Sequence, residues 1–209
     1  MEQAKPAPFS NMKESVYNII NLNVKLVEDF LTLDECKKIY QFIHLNYYNK
    51  YQQSHDVMSG NAFLTVDQIT DVIGDIDKDL NLNLKNKMQL AIDHYSEEFN
   101  ISKSVIDKSW ILHQNKNSLL HHHTHLNAEG KGMLSGALWI HIPENSSKLE
   151  FVHPLEKHLD ITNKKPKLLF EPKVGSFVIF PSYVLHGGDS WNQTTQRLVV
   201  SFSSHTGEE

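Results

Sequence analysis

After Asn100 the sequence changes character. Six short segments rich in β-branched and aromatic residues follow one another: "SWILHQ", "MLSGALWIHI", "KLEFVH", "KLLFEP", "SFVIFPSYVL" and "QRLVVSFSS". Turn-forming residues separate them and no helical period intervenes. Strands joined without crossover helices pair antiparallel and close on themselves, so this half predicts a jelly roll or barrel rather than a βαβ sheet.

The first half reads differently. "IINLNVKLV", from Ile19 to Val27, alternates as a strand does. Thr32 with Glu35 forms a capping box, Leu31 and Cys36 stand as its staple, and a helix is expected from Leu33 to Asn46. "YYNKYQQSHDVMSGN" reads as loop. "TVDQITDVIGDI" and "LKNKMQLAIDHYSEEFN" read as helices, the second with Leu84, Met88, Ile92, Tyr95 and Phe99 in one apolar stripe suited to core packing. The fold class expected is therefore α+β, a rolled β core behind an N-terminal helical layer. One domain spans residues 1–209: a tail and first strand over 1–22, mainly helical support over 23–108, and the β core over 109–205.

Composition narrows the function classes. A net charge of −5 gives no general attraction for nucleic acid or an anionic membrane surface, and the lysines at 164, 165 and 167 form only a local patch. The lone Cys36 excludes a disulfide framework and a thiolate-rich zinc site, and reads as core. The first fifteen residues lack the apolar stretch of a secretory signal, so a cytoplasmic location is expected, with no membrane span.

The chemistry lies in the histidines. "HHHTH", residues 121–125, sets four imidazoles in five positions. Alone it is equally a metal site or a solvated polar run. In an extended segment His123 and His125 project to one side. His186 closes the "SFVIFPSYVL" segment, and a rolled fold can bring its strand beside them. Arg197, eleven residues on, shares a strand face with Val199 and Ser201, opposite Leu198, Val200 and Phe202. Such an arginine either reaches solvent or points inward to hold an anion with its planar fork.

The outline "HTH…LSGALWIHIPENSSKLEFVHP…VGSFVIFPSYVLHGG…QRLVVSFSS", from about Trp110 to Ser203, resembles the Fe(II)- and 2-oxoglutarate-dependent oxygenases related to prolyl 4-hydroxylases. The resemblance implies a double-stranded β-helix (jelly roll) core. It implies Fe(II) held by His123, His125 and His186, the co-substrate 2-oxoglutarate bound through Arg197 and Ser201, and dioxygen as second substrate. His113 and Trp139 stand where the family places hydroxyl-bearing aromatics near the co-substrate. The implied reaction is hydroxylation of an unactivated C–H bond with release of succinate and CO2, on a protein or peptide side chain such as proline. An octahedral ion held on one face by three protein ligands keeps three sites open, two for a chelating 2-oxo acid and one for dioxygen.

The chain departs from the family at three places. His125 stands where the family has aspartate, so either the ligands are three imidazoles or another carboxylate, such as Glu150, supplies the third. Val199 stands where many relatives have serine, leaving Ser201 for that contact. Trp139 can donate only through its indole nitrogen. His121 and His122 read as solvated neighbours or as donors that support the ligands, with His121, which shares parity with His123, the spare ligand candidate; His141, sharing the Trp139 face, is a candidate for the substrate mouth or else a surface or packing residue. The other histidines, at 44, 55, 94, 153, 158 and 205, read as surface or packing residues. Two other readings remain: a three-histidine, cupin-like dioxygenase that needs no 2-oxo acid, and a non-catalytic metal-binding β-roll.

Overall fold

The structure is a computed structural model, described here for residues 23–48, 58–59, 62–65, 71–115, 117–126, 133–144, 146–152, 167–188 and 196–206. The first helix forms where local signals specify it. Helix α1 (Leu33–Asn46) starts at Thr32, whose hydroxyl accepts from the Glu35 N–H while the Glu35 carboxylate accepts from the Thr32 N–H. Lys87 of a later helix adds a 2.8 Å ion pair to that carboxylate and, with the capping contacts, holds it down at about 2. Cys36, Ile39, Phe42 and Ile43 line its buried side.

Helix α2 (Val72–Leu80) is capped by Asp71. Helix α3 (Leu84–Glu98) buries Leu84, Met88, Ile92 and Tyr95 as one stripe. Its first two N–H groups, Leu84 and Lys85, donate to the Asp77 carboxylate, so the end of α2 caps α3.

Eleven strands are described: β1 (Lys25–Val27), β2 (Met58–Ser59), β3 (Ala62–Leu64), β4 (Val105–Gln114), β5 (Leu119–Leu120), β6 (Leu134–His141), β7 (Leu149–Val152), β8 (Lys167–Phe170), β9 (Phe177–Pro181), β10 (Leu185–Gly188) and β11 (Arg197–His205). A six-stranded antiparallel sheet runs β1-β9-β6-β11-β4-β3 and a three-stranded one runs β10-β7-β8. The helices cover one face of the large sheet, over a core that includes Ile111, Leu138, Phe177, Leu198, Val200 and Phe202. On its other face Trp110, Leu112, Trp139, Phe180 and Val199 pack with Phe151 of the small sheet. Two sheets closed over a shared interior, with helices behind, make the double-stranded β-helix and the helical layer expected from the sequence.

Three local expectations change. Of the strand expected from Ile19 to Val27, Asn23 and Val24 lie outside β1 (Lys25–Val27), and 19–22 fall outside the described residues. Of the helix read from Thr65, α2 is described from Val72, with 66–70 outside the described residues, and Thr65 itself is held by β4, its N–H donating to the Ile111 carbonyl and its hydroxyl accepting from the Ile111 N–H. The segment read as loop contains Met58–Ser59, which pairs with β5, and Ala62–Leu64 pairs with β4. Such short strands exist only through distant partners, so they leave no period in the sequence. Among the described residues, no helix is long and apolar enough to cross a membrane.

Candidate metal centre

The "HHHTH" segment lies extended along β10. The His123 N–H donates to the His186 carbonyl at 2.9 Å, the His186 N–H returns to the His123 carbonyl at 3.0 Å, and the His125 N–H donates to Ser182 at 2.9 Å. Alternation then sends His123 and His125 to the same side, where β10 presents His186. One ring nitrogen from each of the three lies within 4.8 Å of the others.

The hydrogen bonds fix which nitrogens face inward. The His123 Nδ1 lies 2.8 Å from the His121 carbonyl and the His186 Nδ1 lies 2.9 Å from the Val184 carbonyl. A carbonyl only accepts, so both Nδ1 atoms carry the proton and both Nε2 lone pairs are left for the interior. The His123 and His125 Nε2 atoms are 3.2 Å apart. Adjacent nitrogen ligands about 2.1 Å from one ion stand about 3 Å apart, so this pair already has the spacing a bound cation imposes. Burial, reinforced by the neighbouring imidazoles, lowers the His186 ring to about 3 and pushes His125 well below its ordinary value. Both are neutral near pH 7, the state that ligates a metal. The donor set fits a divalent ion.

The surroundings are apolar. Trp110 meets the His125 ring edge-on at 5.2 Å, Phe180 lies 4.6 Å from the His186 ring, and Phe151 closes in from the small sheet at 6.0 Å. Trp139 and Val199, both 1% exposed, are paired in register on the same inner face, as are Ser201 and Trp110.

Arg197 points inward, buried to 4%. One Nη1 donates to the carbonyl and hydroxyl oxygens of Ser147, both at 3.0 Å, while its buried Nε has no hydrogen-bond partner. Among the described residues no carboxylate pairs with it, and burial lowers it to about 10. A buried cation lacking a counter-charge is costly unless an anion compensates it.

Two residues placed near the co-substrate by sequence reading part company. Trp139 is on the inner face. His113 is not: it pairs in register with Leu198 on the helix-covered face and packs edge-on against Tyr48, ring centres 5.2 Å apart. His141 also leaves the face assigned to it. A register shift between Leu198 and Val199 in the β11–β6 ladder sets His141 opposite Leu198, against Tyr40 of α1 at 4.8 Å. Glu150 is outside the imidazole cluster, its carboxylate bound to Lys167 and His122. His121 is exposed. Sequence reading missed Trp110 and Ser147. Trp110 was findable from its parity with Leu112 on β4; Ser147, in the connection between β6 and β7, left no signal.

Known proteins resemble this arrangement. Residues 108–203, just under half of the chain, match the family described as "Putative 2OG-Fe(II) oxygenase". The matched segment is thus a 2OG-Fe(II) oxygenase domain, an oxidoreductase domain whose cofactors are Fe(II) and 2-oxoglutarate. Among solved structures, a Pseudomonas putida prolyl-4-hydroxylase aligns with a TM-score of 0.61 at 13% identity, over 88% of this chain and 93% of its own. HygX from Streptomyces hygroscopicus, with nickel and 2-oxoglutarate bound, aligns at 0.59 and 9% identity, over 89% and 84%. A Trichoplax adhaerens prolyl hydroxylase, in complex with a hypoxia-inducible-factor oxygen-degradation-domain peptide, aligns at 0.60 and 11% identity, over 88% and 83%. At such identities the likeness is one of fold. No curated protein matches.

Proposed function

We propose that the chain is an Fe(II)- and 2-oxoglutarate-dependent dioxygenase that hydroxylates an unactivated C–H bond, with a protein or peptide side chain such as proline as the substrate class. The observation that carries the reading is the buried, uncompensated Arg197 on the same inner face as the rim of the imidazole cluster. When bound, Fe(II) and 2-oxoglutarate supply the oxidation: one atom of dioxygen enters the 2-oxo acid, released as succinate and CO2, and the other enters the substrate C–H bond.

The protein's own part is binding, orientation and exclusion of water. His123, His125 and His186 hold the metal through neutral rings, so the dianionic co-substrate balances the charge a carboxylate ligand would otherwise offset. Arg197 offers its guanidinium fork to the distal carboxylate, with Ser201 as hydroxyl donor and Trp139 as wall. Trp110 and Phe180 keep the site apolar, which strengthens each of these contacts. The fold shared with prolyl hydroxylases, one of them seen with a peptide, supports the substrate class. The lone buried Cys36 accords with a reducing, cytoplasmic setting.

The three-imidazole set also favours a second reading, a cupin-like dioxygenase in which the substrate itself chelates the metal. That reading leaves Arg197 without a role, and Arg197→Ala separates the two. As a 2-oxoglutarate enzyme, the variant weakens co-substrate binding about 100-fold through loss of a charge-assisted pair, and succinate release on proline-containing peptides falls with it. Unchanged turnover without any need for 2-oxoglutarate supports the second reading instead.

A further inference from the structure

A second group of side chains sits on the outer side of the ligand segment, and none of the proposed chemistry uses it. His122, between His121 and His123 on the extended ligand segment, projects away from the cluster because neighbouring side chains alternate. Its ring crosses β10 at Gly187, whose partner in register on β7 is Glu150. The His122 Nε2 lies 3.2 Å from Glu150 Oε2, and Lys167 of β8 holds Glu150 Oε1 at 2.6 Å. The sequence Lys167–Glu150–His122 therefore crosses the whole outer face of the small sheet and ends on the strand that carries two of the three imidazoles.

That strand needs a tie. Its described backbone bonds to the sheet are the reciprocal His123–His186 pair and one bond to Ser182. Gly187 permits the close approach: a Cβ there would stand 3.0 Å from the His122 nitrogen and 3.1 Å from its Cα. The Glu150 side chain is 13% exposed, and Lys167, followed by His122, keeps its carboxyl below the ordinary range.

We propose that His122 and Glu150, backed by Lys167, are positioning residues for the metal centre: they lock the ligand strand against β10 from outside and so hold His123 in place to face His186. The inference rests on the reading that the three imidazoles bind the metal. Partners outside the ligand set that orient it are typically worth 10- to 100-fold in metal affinity. An exposed ion pair with no such task is worth little to anything.

The test is calorimetric titration of Co(II), which needs no turnover, into the full chain as wild type, His122→Ala, His122→Gln, Glu150→Ala, the double alanine variant and His123→Ala. The expected result is about tenfold weaker Co(II) binding in each single alanine variant and no further loss in the double, since both remove one tie. His122→Gln should recover binding to within about threefold, because its amide N–H reaches Glu150 without offering an imidazole. Melting temperatures of the metal-free variants should stay within about 2 °C of wild type, the range of a minor surface change. Binding within twofold of wild type in both alanine variants, while His123→Ala abolishes it, overturns the tie and leaves the metal reading intact. Loss in His122→Ala that glutamine does not recover and Glu150→Ala does not share also overturns it, by making His122 a ligand. Undiminished binding in His123→Ala overturns the metal reading and the tie together.

Discussion

His113 and His186 are equally hidden, 2% and 4% exposed, and burial depresses both, to about 4 and about 3. They stand on different surfaces of the β core. His113 packs under the helices against Tyr48. His186 faces two more imidazoles across a space lined by aromatic rings. Burial and a lowered pKa therefore do not mark a site by themselves; convergence of lone pairs does. The same contrast runs along β11, where Leu198, Val200 and Phe202 join the helix-covered core while Arg197, Val199 and Ser201 line the interior. On the proposed function the helix-covered face serves stability and the inner face binding, and the two should be separable by experiment.

The largest expected effect lies on the stability face. Phe202, fully buried against Phe177, should cost about 3–5 kcal/mol when replaced by alanine. Denaturant unfolding gives the cost, and Co(II) affinity measured below the unfolding transition should stay within a few-fold of wild type. A loss of metal affinity as steep as the loss of stability would show that the two faces act as one.

A comparable effect follows from pH. His113 titrates near 4 in the fold and near 6.5 when unfolded, so below pH 6.5 the unfolded chain binds the extra proton. Stability is then fully present above pH 6.5 and falls as the pH drops toward 4, by on the order of 3 kcal/mol. The difference between wild type and His113→Phe, measured by urea unfolding across that window, isolates this share. A difference that is flat with pH would mean that the helix-covered face accommodates a charged ring.

The smallest effect belongs to the cap of α1. Glu35 is depressed by Lys87 and the Thr32 backbone, so its contribution is present above its unfolded value of 4.5 and lost as pH falls toward 2. Allowing for its partial exposure, Glu35→Ala should cost about 1 kcal/mol at pH 7 and almost nothing at pH 2. Thermal melts at the two pH values check it.

Legibility in the sequence followed locality. The capping box at Thr32 and Glu35 and the α3 stripe use partners a few residues away, and both formed where their spacing placed them. The histidine cluster was legible because His123 and His125 share one extended segment and alternation orients them together. What escaped was set by distant pairing. β2 and β3 depend on β5 and β4, and the β11–β6 register shift turned His141 toward α1. Ser147 meets Arg197 across fifty residues of chain. His113 occupies a matching motif position but lies on the wrong side of β4, because a motif counts residues and a sheet sorts them by face.

The most direct measurement is anaerobic. Fe(II) is titrated into the metal-free protein, 2-oxoglutarate is added, and the weak visible metal-to-ligand band of the chelate is recorded for wild type, His123→Ala and His186→Ala. The band should form in wild type and be absent from both variants. Iron binding without the band would contradict the 2-oxoglutarate reading, and no iron binding at all would make "HHHTH" a polar run after all.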